Sequence, residues 1–158
     1  MSETAVGADQ RELFRRWPSG VGVVVAELDG RRSGITIGSL VSLSLSPPLV
    51  GVAIDVQASI HEPFRGATEW AVSLLGGEQE RLAKHFARSV PPIALWDGVD
   101  VLERDPRLLA GAAGWLVAQT EHELVVGDHT LFVGRLVSIE AGPAETSLVT
   151  VGGGYSAL

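Results

Sequence analysis

Two stretches of this 158-residue chain concentrate side chains able to do chemistry. The first, GITIGSLVSLSLSPP at 34–48, places Thr36, Ser39, Ser42, Ser44 and Ser46 beside a strand-like run. Short hydroxyls and free main-chain N–H groups can ring a phosphate, or the heteroatoms of a flat ring, without imposing charge. Periodicity alone fits a polar stripe facing water equally well. The second is Gly127-Asp128-His129, a turn that opens another long run. Its imidazole either reaches into a pocket mouth or faces solvent, and Asp128 is better suited to bracing the turn or orienting the ring than to acting as a base.

Other arrangements are incomplete. GVGVVV at 20–25 lacks the third glycine and the strand-loop-helix setting of a dinucleotide fingerprint. There is no G-x-S-x-G elbow, and Asp128 and His129, being adjacent, would point to opposite faces of a strand, which disfavours a hydrolase triad. His61, His85, His122 and His129 form no HExxH or i,i+4 pair, so no metal site is expected. Glu121 and Glu123 flank His122 as a solvated strand end would.

Composition narrows the partners. A net charge of -7 argues against a nucleic-acid surface, although arginines can still grip a phosphate locally. The chain has no cysteine, hence no disulfide and no thiolate chemistry, which fits a cytoplasmic protein. No run approaches the roughly 20 apolar residues of a membrane span. MSETAVGADQ lacks the basic-then-apolar order of a signal peptide, and residues 1–10 are expected as a disordered lead-in to a single domain over 11–158. Hydrophobic residues make up 46% of the chain, a surplus that points to a subunit interface.

The elements that must position these residues are mostly strands. A short helix is predicted over 9–16, ended by Trp17-Pro18. Strands follow over 20–28 and 33–41, either side of the Asp29-Gly30 turn, then over 49–55 and 69–75, with a helix over 59–66 capped by Ser59 and another over 77–87. Residues 88–110, with Pro91, Pro92 and Pro106, read as a long ordered loop. Three strands close the chain within 114–126, 127–141 and 147–153, before a flexible glycine tract ending at Tyr155. Strands without alternating helices predict an antiparallel barrel.

With these pieces assembled, the chain from about Phe14 onward resembles the flavin reductase-like family, the FMN-binding split barrels that act as NAD(P)H:flavin oxidoreductases of two-component monooxygenases. Trp17-Pro18-Ser19-Gly20-Val21, GITIGSLVSLSLSPPLV, LLGGEQERLAKHFA and, most specifically, GDHTLFVGRL carry the likeness. The resemblance implies a mainly β split barrel with appended helices, binding FMN or FAD and using NADH or NADPH as co-substrate. It places Thr36, Ile37, Gly38, Ser39 and Ser42 along the isoalloxazine and ribityl chain. Gln57 and Ser59 then stand at the flavin phosphate, where relatives carry a basic residue and this chain has none. Phe86 and Ala87 border the flavin or a dimer partner, with plain core packing the other reading of Phe86. Ala118 or a neighbour stands where relatives often have a cysteine. Tyr155 stacks at the pocket rim, and His129 is the catalytic residue on the nicotinamide side. A homodimer and a flavin-dependent monooxygenase partner are further implications. Two other readings use the same pocket: a non-catalytic flavin store, and a flavin- or deazaflavin-dependent reductase of an organic substrate.

Overall fold

β-Branched runs bounded by turn residues become strands in the computed structural model, which describes residues 2–88 and 91–158. The first half runs α1 (Glu3–Phe14), β1 (Ser19–Gly20), β2 (Gly22–Leu28), β3 (Arg31–Ile37), β4 (Val41–Leu45), β5 (Pro48–Asp55), α2 (His61–Gly66) and β6 (Glu69–Leu74). The second runs α3 (Glu80–Phe86), β7 (Val101–Leu102), β8 (Asp105–Leu109), β9 (Gly114–Val126), β10 (His129–Ala141), β11 (Leu148–Val151) and β12 (Gly154–Ala157).

Seven strands form one antiparallel sheet in the order β3-β2-β6-β9-β10-β5-β4. Its two end strands are consecutive in the chain, linked by residues 38–40. One buried cluster draws Ile37 from one end of the sheet, Val50, Val52 and Ile54 from near the other, and Val24, Trp70, Val72, Leu116 and Phe132 from between. Side chains so far apart in strand order can share a core only if the sheet curls on itself, and the expected split barrel results. α2 closes one end, its Phe64 ring 4.6 Å from Phe132 and 5.3 Å from Trp70.

The outer faces carry the appendages. α3 lies over β2 and β3, where Thr36 Oγ1 donates to Ala83 O at 2.6 Å and the Phe86 ring sits over Gly34. Trp96 Nε1 donates to Arg32 O, and the Arg32 guanidinium stacks 4.2 Å above the indole. The β7–β8 hairpin brings Leu108 against Ala71 and Trp115. Arg107 there bonds both Asp105 and Glu69.

Several expectations are corrected. Helix α1 begins at Glu3, so residues 3–10 are helical rather than a disordered lead-in, with the Ser2 hydroxyl accepting from the Ala5 N–H as an N-cap. The helix buries no residue, so packing had left no pattern to read. The strand expected to run through residues 33–41 ends at Ile37. α2 takes Ile60, not Ser59, as its N-cap. The loop expected over 88–110 contains the β7–β8 hairpin; Ser89 and Val90 lie outside the described residues. The terminal glycines make a tight turn from β11 into β12 rather than a flexible tract.

Two stability outcomes follow. A Cβ on Gly134 would lie 2.5 Å from Trp70 Cζ2 and 2.8 Å from Ala118 Cβ. Gly134→Ala should therefore cost about 1–3 kcal/mol in urea unfolding, with the m-value unchanged. Burial pushes the Asp105 carboxyl up, but hydrogen bonds from the Arg107 side chain and N–H outweigh it and hold it below its ordinary 3.8. Its stabilisation is thus complete at neutral pH and lost as pH falls through that depressed value. Asp105→Asn should be less stable than the parent by about 1 kcal/mol at pH 7, and the gap, followed by thermal unfolding, should narrow in acid.

Candidate functional site

Gly127 and Asp128 form the two-residue link between β9 and β10, with φ +63° at Gly127, a conformation that favours glycine. β10 therefore starts at His129, opposite Asp55 on one side and Val126 on the other. Strand alternation then sorts the side chains: Thr130 and Phe132 turn inward, His129 and Leu131 outward. The outward row continues across β5 as Asp55, Ala53 and Gly51. Gly51 is covered by the ends of Val41, Leu43 and Leu131, and Leu124 and Val126 flank on β9. Val41, Leu43, Leu124 and Val126 are exposed, so the outer surface of four strands is an apolar shelf ending at His129.

The rim of that shelf is tied together. Ser39 Oγ donates to Ala53 O at 3.0 Å and accepts the Ala53 N–H at 3.2 Å, stitching residues 38–40 to β5. Ala53 pairs with Leu131, so Ser39 lies about two strand spacings, roughly 10 Å, from β10. The nearest neighbours a Cβ on Gly38 would meet are Ser19 and Gly20. Ser19 pairs with Thr150, and Thr150 with Tyr155, which brings the C-terminal hairpin toward the same rim. Across from it, the Val56 N–H donates to Asp128 O at 3.0 Å, and Asp55 Oδ1 accepts the Gln57 N–H at 2.8 Å.

His129 Nδ1 lies 2.6 Å from Asp128 Oδ1. A carboxylate only accepts, so Nδ1 carries the proton and Nε2 of the neutral ring presents a lone pair outward. The hydrogen bond from His129, then its charge, holds the Asp128 carboxyl below its ordinary 3.8.

Of the residues singled out in the sequence, Gly38, Ser39, Gln57 and His129 lie around this rim, while Tyr155 is half-buried against the cluster of Leu148 and Phe86, its hairpin joined to the rim through Ser19. Ser59 is exposed in the segment between β5 and α2, its hydroxyl not engaged in capping α2. Thr36 and Ser39 spend their hydroxyls on Ala83 and Ala53. Ile37 is a core residue, and Ser42 stands opposite the inward-facing Val50, on the other side of β4 from Val41. Phe86 is 2% exposed, its ring enclosed by Val23, Val25 and Leu95, with Ala87 exposed beyond it as the helix C-cap. Two residues at the rim were not anticipated as partners, Asp55 and the buried His61; only strand pairing reveals the first and only a contact 69 residues away the second.

A flavin fits this surface on its own chemistry. Ala53 and the ends of Val41, Leu43 and Leu131 that lie over Gly51 give an apolar area for a ring system, and residues 38–40, outside any strand, offer main-chain polar groups to its edge. Residues 55–60 contain no lysine or arginine, which leaves hydroxyl and amide groups to hold a phosphate there.

The chain belongs to the family described as flavin reductase like domain, whose model matches residues 14–158. It is 35% identical over 150 residues to an NADH-dependent FAD reductase of Streptomyces globisporus, covering 92% of this chain and 82% of that protein. It is 35% identical over 149 residues to the reductase component of 4-hydroxyphenylacetate 3-monooxygenase of Thermus thermophilus, covering 94% of each. The structure of the Streptomyces globisporus NADH:FAD oxidoreductase in complex with NAD and FAD fragments superposes with a TM-score of 0.88 at 31% identity, covering 98% of this chain and 94% of that one.

The Asp128–His129 contact is open to direct measurement. Followed by carboxyl carbon NMR, Asp128 should titrate below 3.8 in the parent and return toward it in His129→Ala; equal midpoints would mean the two side chains do not meet in solution.

Proposed function

We propose that the protein is an NAD(P)H:flavin oxidoreductase that binds FMN or FAD on the shelf between residues 38–40 and the start of β10. The observation that carries this is the apolar outward face of β4, β5, β10 and β9 terminating in the Asp128–His129 pair, within a chain whose family match spans 14–158. Bound flavin supplies the acceptor for a hydride from reduced nicotinamide, and that electronic chemistry belongs to the cofactors. The protein's part is to stack two flat rings, which needs no acid or base in the site.

Gly38, Ser39 and the neighbouring main chain border the flavin edge, with Thr36 and Ser39 acting mainly by fixing the turn that carries them. Ser59, with main-chain amides, takes the phosphate. His129 stands at the nicotinamide end. With Nδ1 donating to Asp128, its Nε2 accepts from the nicotinamide carboxamide rather than donating to it. Tyr155 closes the rim. NADH is the favoured donor, in line with the relatives named for it.

Val41, Leu43, Leu124 and Val126 expose apolar surface along the shelf, and a second copy of the chain covers part of it, so the working unit is a homodimer. Reduced flavin leaves for a partner monooxygenase, the arrangement named for the Thermus relative. No helix among the described residues is long and apolar enough to cross a membrane, and we place the enzyme in the cytoplasm.

NADH and NADPH oxidation measured with added FMN and FAD tests the activity; turnover of free flavin distinguishes a reductase from a flavin store, which would hold its cofactor without steady turnover. His129→Ala should slow flavin reduction by NADH about tenfold, the scale of one lost hydrogen bond, with flavin affinity changed less than about twofold. Stopped-flow reduction at the parental rate would remove His129 from the mechanism.

A further inference from the structure

His61, the first residue of α2, is 7% exposed, and its ring lies 5.8 Å from Phe132 within the barrel end. Both its nitrogens are engaged. Nδ1 is 3.1 Å from Glu62 Oε1 and Nε2 is 2.8 Å from Thr130 Oγ1. The carboxylate can only accept, so Nδ1 donates to it and, in the neutral ring, the Thr130 hydroxyl donates to Nε2. Should the ring protonate, Nε2 donates and the hydroxyl accepts, so the contact survives either state.

The order carboxylate, imidazole, hydroxyl is that of an activated nucleophile. Thr130, however, is 4% exposed and points into the barrel, out of reach of a substrate. A role in placement is what remains. Thr130 immediately follows His129, so anchoring its inward side chain fixes the twist of β10 at its first residue and thereby the outward direction of the His129 ring. The other end of the chain is His61, whose own N–H donates to Ala58 O in the loop carrying Gln57 and Ser59. Loop and turn are thus joined twice, once by the Val56–Asp128 main-chain bond and once by the buried His61–Thr130 bond.

We propose that His61 and Thr130 are positioning residues for hydride transfer: their buried hydrogen bond, steadied by Glu62, sets the orientation of His129 against the loop at the flavin phosphate. This rests on the reading of His129 given above.

The test is a double-mutant cycle read by stopped-flow flavin reduction at saturating NADH, with flavin affinity measured separately by fluorescence. Thr130→Val keeps the side-chain shape and removes the hydroxyl. It should lower the rate about fivefold to tenfold, most of the loss expected for His129→Ala, while flavin affinity changes less than about twofold. Thr130→Ser should restore the rate. In a His129→Ala background Thr130→Val should add nothing, because the group being positioned is gone. Glu62→Ala, an exposed change that leaves the core intact, should give a smaller loss of about twofold to threefold that likewise vanishes in His129→Ala. It carries the test should Thr130→Val fail to fold. A parental rate in both Thr130→Val and Glu62→Ala, or losses that multiply with His129→Ala, overturns the positioning role while leaving His129 in place. A parental rate in His129→Ala itself overturns both readings.

Discussion

Burial of one shared interior is the constraint on which the rest of the molecule depends. Ile37 near one edge of the seven-stranded sheet and Val50, Val52 and Ile54 near the other are too far apart in a flat sheet to touch, yet they enclose the same aromatic group of Phe64, Trp70 and Phe132. Removing that apolar surface from water favours curling, at roughly 25 cal/mol per Å2 buried. Curling brings the seam at residues 38–40 against β5. The Ser39 hydroxyl bridging both main-chain groups of Ala53 follows from the closure rather than causing it.

The candidate site is what that closure leaves on the outside. Inward positions of β5 and β10 are taken by the core, so the alternate positions must face outward, and there the chain uses small or apolar residues where an exposed barrel would carry charge. Val41, Leu43 and Leu131, whose ends meet over Gly51, and Ala53 beside them make sense on a surface meant to be covered. The polar groups gather at one end, where the Gly127-Asp128 turn and the segment after β5 meet. Apolar area for a ring and a hydrogen-bonding edge for its substituents thus arise from one sheet and one turn.

Much of this was legible in residue order. Val23-Val24-Val25, the Asp29-Gly30 turn, the long runs before and after Gly127-Asp128 and the absence of alternating helices are local signals, and each matched its strand. The His129 turn was recognisable because glycine and aspartate there dictate backbone shape. Partners distant in sequence were not legible: nothing local ties Ser39 to Ala53, or His61 to Thr130. The break after Ile37 was hidden because Gly38, Ser39 and Leu40 continue the look of a strand, and the β7–β8 hairpin because Pro106 disguises it. Thr36 illustrates the limit for chemistry, since a hydroxyl whose neighbours suggest a ligand contact instead donates to a helix carbonyl brought in from residue 83.

The register of the β9–β10 hairpin shifts between Val133 and Gly134 and again between Leu136 and Ser138. Each shift resets which residues oppose one another, so the tip bearing His129 and the base buried beneath the β7–β8 hairpin are separate frames joined by slack. A length change at the base can be absorbed at these irregularities before it reaches the tip. At the tip itself no slack exists, because a single inserted residue in the two-residue turn would exchange the inward and outward rows. Across descendants of this chain, insertions should therefore accumulate below Val133 and be purged above it.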